Sequence, residues 1–352
     1  MKFGILFRAQ DPPDGKNLTR RWQEILDAGR LAEDVGFDGL FLPEHHMMED
    51  GYVPAPLIGL AALAGVTKRV ELGTTILLLP FYNPVQVAEH AALVSVISDR
   101  PLRLGVGIGN FEPEFALFGR TSKNQVALFE ESVGIVRRLW AGEEVEHESE
   151  FFSVKGKIRP VPKDAEIWMG AMSFPGVRRA ARMGAPWPCD PLHNIHVIKE
   201  WNDAYRAEGK KHGTSDKLSL ALLRDGWVGD DMDEVERDWW PAIRAEHWFY
   251  FSQVPRWVAD REPFLQGIEK EEDFKFENHR IDRLVVGDPE QCLETIQRFE
   301  QEVGNDYLIM SFRLATGPDH EKELKCIERF GKEVIARYRE REAIPVTGSA
   351  RT

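Results

Sequence analysis

Three side chains that can hold or move protons stand together at Glu44-His45-His46, directly after Leu40-Phe41-Leu42-Pro43. A run that short and nearly all apolar reads as a strand covered on both faces. Parallel α/β proteins gather their reactive groups where such strands end, at the carboxyl side. A carboxylate and two imidazoles at that address suit acid–base work, because imidazole exchanges protons near neutral pH. Capping a loop, with His46 packed among its neighbours, would satisfy the same residues. A shared metal ion fits poorly, since adjacent side chains at a strand end point to opposite sides and no second His/Asp cluster follows. No metal is expected.

A second constellation is Gly105-Val106-Gly107-Ile108-Gly109-Asn110. Its glycines leave room for something flat close to the backbone. It lacks the full dinucleotide fingerprint and the acidic residue that should follow. Ser173, just before an expected helix, can cap it, and the same helix start offers N–H groups to a phosphate. There is no Gly-x-Ser-x-Gly elbow and no Gly-Lys-Ser/Thr phosphate loop.

The elements that must position these groups alternate regularly. Strands are expected at 3–7, 40–42, 70–79 and 103–106, and helices at 18–35, 56–65, from Pro84 onward and at 125–140. Asn83-Pro84-Val85-Gln86 carries an N-cap, a first-turn proline and a capping-box glutamine, and Asp288-Pro289-Glu290-Gln291 repeats it. Consecutive βα units without linkers predict a parallel sheet closed as a (β/α)8 barrel, with an open doubly wound sheet as the alternative. The second half is looser: a hairpin within 151–158, a strand at 167–169, helices at 176–183 and 194–208, a strand at 218–224, a last strand at 306–312 and a closing helix at 321–339. Between 239 and 264 lies an aromatic stretch including Trp239, Trp240, Trp248, Trp257 and Phe264. It reads as insertion core, or as an apolar lid over the barrel mouth. The expected organisation is one barrel domain over 1–342, an insertion near the seventh strand at about 228–280, and a loose tail over 343–352. The small-sided helix at 56–65 reads either as core or as a contact with a second subunit.

Composition narrows the partners. The 352 residues carry 58 acidic and 45 basic side chains, a net charge of −13, with no basic stripe. That disfavours nucleic acid and anionic membranes, which require clustered Lys and Arg. Three scattered cysteines form no metal pattern and fit a reducing compartment. The first apolar run is too short for a signal peptide, and no spanning segment follows, so a soluble, cytoplasmic protein is expected.

Taken in order, Met1-Lys2-Phe3-Gly4, Pro12-Pro13, Gly36-Phe37-Asp38, Glu44-His45-His46, Gly73-Thr74, Pro80, Pro84-Val85, Phe118-Gly119 and Ser173 resemble the bacterial luciferase-like flavin monooxygenases. The likeness spans nearly the whole chain, densest over 1–140 and thinnest over 190–275. It implies a barrel with an insertion, reduced FMN supplied by a separate flavin reductase, and O2 captured as a flavin C4a-peroxide to oxygenate an apolar or aromatic small molecule. It implies that His45 serves catalysis and that Thr75, Ile76, Gly107 and Ser173 meet the cofactor; by their place at the same strand ends, Glu44 is expected to assist catalysis and Gly109 and Asn110 to bind the cofactor. Thr75–Ile76 lies where the family carries a cis peptide beneath the isoalloxazine ring. Gly107 stands in the place of a reactive cysteine, and Ile108 and Val126 in the places of phosphate-binding arginines, so either other cations (Arg120, Lys123, Arg178 or Arg179) hold the phosphate or flavin affinity is low. The family habit is dimeric, so a homodimer is expected. Two other readings remain: hydride transfer with a reduced deazaflavin on the same barrel, and a non-catalytic flavin-binding partner subunit.

Overall fold

The computed structural model describes residues 1–253, 261–262 and 265–343, so Trp257, Phe264 and the tail from 344 onward lie outside the described residues. Strand and helix alternate from the start: β1 (Lys2–Leu6), α1 (Leu18–Asp34), β2 (Gly39–Leu42), α2 (Pro56–Val66), β3 (Glu71–Leu78), α3 (Pro84–Ser98), β4 (Leu102–Gly107), a short α4 (Glu112–Leu117) and α5 (Gln125–Trp140). After the hairpin β5 (Val145–Glu148) and β6 (Ser153–Gly156) come β7 (Ala165–Met169), α6 (Phe174–Arg182), β8 (Trp187–Pro188), α7 (Ile195–His212) and β9 (Leu220–Val228). Next are α8 (Met232–Asp238), α9 (Trp240–Gln253), β10 (Val285–Gly287), α10 (Pro289–Val303), β11 (Tyr307–Ser311) and α11 (His320–Arg329).

The main sheet closes on itself. Parallel ladders join β11 to β1, then β1 to β2, β3, β4 and β7 in turn, and β8 to β9 to β11. The remaining junction is carried by Met169 N–H, which donates to the Pro186 carbonyl just before β8 at 2.8 Å. The extra strand β10 pairs with the far end of β9. The long excursion thus leaves after the seventh barrel strand, β9, and returns before the eighth, β11.

Side chains fill the barrel's interior rather than leaving a pore. Phe41 stacks on Trp168 at 5.8 Å between ring centroids and meets Tyr307 edge-on at 5.5 Å. Gly4 is glycine for this reason: a Cβ there would stand 2.7 Å from the Phe41 ring. Outside, α1 buries Ile25, Ala28 and Ala32. Its Glu33 accepts the N–H groups of Lys68, Arg69 and Val70, which fixes the entry to β3. Truncating Ile25 to Ala would cost about 2–5 kcal/mol.

Local expectations hold with instructive differences. Asp288 and Gln291 form the reciprocal box at the start of α10. Asn83 caps α3 through Val85 N–H at 2.9 Å without help from Gln86. The hairpin begins earlier than expected, because Phe151-Phe152 belong to its turn: Ser149 Oγ accepts both of their N–H groups. Strand β9 runs on to Val228, carried by the apolar Trp227-Val228. The closing helix is interrupted by a π-helical turn at Phe330–Ile335.

Candidate active site

The carboxyl ends of β2, β3 and β4 bring the first two constellations together. His45 and His46 diverge as neighbouring residues leaving a strand should. His46 is buried, with Nε2 2.7 Å from Glu44 Oε1 and its ring against Phe118 (4.7 Å) and Phe81 (5.9 Å). The His45 side chain stays 21 % exposed. Its ring meets Tyr52 edge-on at 4.9 Å, and its Nδ1 lies 3.1 Å from Glu114 Oε1.

Glu44 is occupied on both oxygens. Oε1 accepts Tyr82 Oη–H at 2.6 Å as well as facing His46, and Oε2 accepts Leu78 N–H at 2.7 Å. It ties the end of β2 to the end of β3. Burial and the Glu44 carboxylate together push the Tyr82 phenol well up, so it remains a proton donor.

The carboxylate that touches His45 is Glu114, on α4, which sequence reasoning missed. It is fully buried; Oε1 also accepts His46 N–H at 2.7 Å, and Oε2 has no partner among the described residues. A signal existed in Glu112-Pro113-Glu114, an acid–proline–acid start just past the glycine-rich strand end. A helix of six residues gives too little periodicity to be read.

The peptide bond between Thr75 and Ile76 is cis. The glycines beside it serve this unit before they serve a ligand. A Cβ on Gly105 would strike the Thr74 carbonyl, one on Gly107 would strike Ile76 Cδ1, and one on Gly170 would lie 2.8 Å from Ile76 Cγ2. Ile76 is partly exposed, and the buried Thr75 Oγ1 has no partner among the described residues. Gly109 takes φ +74°, with Phe115 closing on its Cβ side at 3.2 Å. Asn110 is exposed.

Ser173 caps α6, accepting Gly176 N–H at 3.3 Å, and is exposed. Of the cations expected near a phosphate, Arg179 is taken by Glu130 at 2.8 Å. Arg120, Lys123 and Arg178 are exposed and make no ion pair among the described residues; Arg178 lies 5.6 Å from the Phe174 ring centroid.

A buried polar row crosses from the barrel to the excursion. Arg8 reaches Asp225 (3.4 Å) and Ser311 (3.0 Å), Asp225 meets His247 (3.0 Å), and His247 meets His279 (2.7 Å). Arg283 then links His279 to Glu262. Burial opposes ionisation of Asp225, but Arg8 and His247 hold its carboxyl below the usual range. Burial and His247 keep His279 well below the usual imidazole range.

At the mouth, a cavity of about 300 Å³ lies beside Tyr52. A larger depression of about 500 Å³ sits at the opposite, amino end of β7, bounded by Arg137, Glu166 and Lys217. Glu44, His45, His46 and Glu114 line neither; the smaller one adjoins His45 through the Tyr52 ring. Of the aromatic stretch, Trp239, Trp240 and Phe251 are core, while Phe249 and Tyr250 face this cavity. Burial pushes all three cysteine thiols up, so none is an activated nucleophile. Among the described residues no three His, Cys, Asp or Glu side chains are grouped to hold a metal ion, and no helix is long and apolar enough to cross a membrane.

A closed parallel barrel with its reactive groups at the strands' carboxyl mouth is the frame of a small-molecule enzyme. Residues 1–306 match the profile of the luciferase-like monooxygenases, and the chain belongs to that family. It is 24% identical to the oxygenase component of a flavin-dependent trigonelline monooxygenase from Acinetobacter baylyi, over 97% of this chain and 96% of that protein. It is 28% identical to an F420-dependent glucose-6-phosphate dehydrogenase from Microbacterium testaceum, over 97% and 99%. Its fold superposes with a TM-score of 0.79, at 20% identity, on the oxygenating constituent of 3,6-diketocamphane monooxygenase from Pseudomonas putida in complex with FMN, covering 96% of this chain and 98% of that one. The family and its flavin-dependent relatives mark the chain as an oxidoreductase.

Proposed function

We propose that this protein is the oxygenase component of a two-component flavin monooxygenase, using reduced FMN from a separate reductase and O2 to oxygenate a small molecule with an apolar or aromatic body. The observation that carries the reading is the asymmetry of the histidine pair. His46 is sealed in packing, while His45 is held at Nδ1 by Glu114 and keeps its ring at the mouth, with no hydrogen bond to Nε2 among the described residues.

The residues present suit a flat ring with alternating N–H and C=O groups. Ile76 offers a partly exposed apolar surface, and Thr75 Oγ1 and Glu114 Oε2 are buried polar atoms without partners among the described residues. Gly107, Gly109 and Asn110 would border the ring, and Ser173 with Arg178 would meet the phosphate. Bound reduced flavin would supply the electrons that activate O2. His45 would donate or accept the proton at Nε2, with Glu114 fixing its tautomer. Glu44 would act through His46 and Leu78 as a positioning residue. The apolar mouth would exclude water from the reacting atoms. Two copies would meet through α2 and α3.

The test is anaerobic titration with reduced FMN, then oxygen, followed by ultraviolet–visible spectra and product analysis. Saturable binding and substrate-coupled oxygen consumption are expected; reduced FMN that fails to bind would overturn the reading. A second reading is favoured by the Microbacterium relative: hydride transfer with a reduced deazaflavin. Turnover with that cofactor and no oxygen consumption would select it.

A further inference from the structure

The cavity beside Tyr52 has walls of a particular chemistry. It opens between the loops after β1 and β2, the stretch after β11, and α9, and its lining includes Gln10, Asp50, Tyr52, Glu246, Phe249 and Tyr250. At about 300 Å³ it is at the small end for ligand sites. Three of these residues are aromatic, and the polar ones are incompletely paired. Glu246 is only 8 % exposed, and its carboxyl makes no hydrogen bond among the described residues. Gln10, 9 % exposed, donates Nε2–H to Asp50 Oδ2 at 2.8 Å, leaving Gln10 Oε1 and Asp50 Oδ1 buried without partners among the described residues.

All of these open positions are acceptors in the ionised site; they lack donors. The nearby guanidinium of Arg8 is not in the lining: its Nη1 bonds Asp225 and Ser311, its Nε has no partner among the described residues, and its charge acts on Glu246 without a hydrogen bond to it. A carboxyl buried this deeply without a donor is costly, and burial pushes Glu246 up accordingly. A ligand carrying both N–H donors and positive charge relieves that cost, and aromatic faces attract the same charge through their quadrupoles.

We infer that this cavity receives the cationic head, a protonated amine, of the molecule the enzyme acts on, with Glu246 as counter-ion, Gln10 and Asp50 as acceptors, and Tyr52, Phe249 and Tyr250 as aromatic walls. The edge-to-face contact of Tyr52 with His45 sets the cavity beside the proposed reaction centre. Calling the ligand a substrate rests on the oxygenase reading; the cation preference does not.

The experiment is calorimetric titration of the intact purified protein, without added flavin, with benzylamine, benzyl alcohol and benzoate at neutral pH. Benzylamine is expected to bind at least about tenfold more tightly than the other two. Glu246→Gln should remove that advantage and leave benzyl alcohol affinity within about twofold. Equal affinities, a preference for benzoate, no saturable binding of any probe, or equal loss of amine and alcohol binding in Glu246→Gln would each overturn the inference. Should Glu246→Gln fail to fold, the wild-type ranking and Asp50→Asn decide it by the same comparison. Because no flavin is present, amine selectivity without reduced-flavin binding would sink the oxygenase reading alone. Flavin turnover without amine selectivity would sink this inference alone.

Discussion

His46 N–H and His45 Nδ1 converge on a single oxygen, Glu114 Oε1, at 2.7 and 3.1 Å. One carboxylate therefore fixes both the backbone at the end of β2 and the orientation of the exposed imidazole. Glu114→Gln keeps the shape but removes the charge. His45→Ala removes the imidazole altogether, and turnover should fall by roughly 10²–10⁴-fold, as for loss of a proton-transfer group. Glu114→Gln should lose less, and the pH profile of kcat should move. Flavin binding, followed by fluorescence quenching, should change little in His45→Ala. Full turnover by His45→Ala would remove it from the chemistry.

Glu44 invites a contrasting test. Its acceptors serve Tyr82, Leu78 and His46, so Glu44→Ala strands buried donors at a cost of about 3 kcal/mol, whereas Tyr82→Phe removes one hydrogen bond for about 1 kcal/mol. Urea unfolding midpoints should show that order. Glu44→Gln should retain most of kcat with an unshifted pH profile. A loss as deep as that of His45→Ala would mean that Glu44 takes part in proton transfer.

The fit of Gly107 against Ile76 predicts a dependent pair. Gly107→Ala drives a methyl into Ile76 Cδ1, and overpacking of this kind costs about 1–3 kcal/mol. Adding Ile76→Ala should restore stability beyond the sum of the single changes, because the two residues share one space. Strict additivity in thermal melts would show that the strand end shifts freely instead.

How much of this was legible in the sequence follows from the range of the interactions. The barrel could be read because Leu40-Phe41-Leu42 and Val70–Leu79 are short apolar runs and the intervening helices carry local caps such as Asp288-Pro289-Glu290-Gln291. The divergence of His45 and His46 followed from adjacency alone. Glu114 could not be assigned to His45, because that contact spans 69 residues of sequence. The row from Arg8 to Asp225 spans 217 residues, and no local pattern announces it. The glycines at 105 and 107 read, from sequence, as leaving room for something flat close to the backbone. What fills the space is Thr74 and Ile76, a packing fact that spacing does not reveal.

Ile58 on α2 and Leu93, Val96 and Ile97 on α3 are exposed by 74, 50, 48 and 53 %. Exposed apolar side chains on these two neighbouring helices suit the proposed pairing of two copies, in which each one buried would contribute about 1.5–3 kcal/mol. Ile58→Glu with Ile97→Glu should shift sedimentation velocity from dimer to monomer without changing the circular dichroism spectrum. A wild-type protein that sediments as a monomer at micromolar concentration would refute the proposed pairing.

The same Glu246 proposed to hold a cation should weaken the empty fold at neutral pH. Burial raises its pKa above the usual carboxylate range; Asp225 and Asp50 add to the effect, while Arg8 and His247 counter it. Between its ordinary and folded values the folded chain holds a proton that the unfolded chain has lost, so stability falls as pH rises through that window. Each tenfold difference in proton affinity is worth about 1.4 kcal/mol. Glu246→Gln removes this slope. Its melting temperature should match wild type near pH 4 and exceed it by about 2 °C or more at pH 7.5. Saturating benzylamine should narrow the difference by stabilising the wild type, since a ligand that binds only the folded state raises its stability. A variant less stable than wild type at pH 7.5 would show that the carboxylate has a donor in the fold and needs none from a ligand.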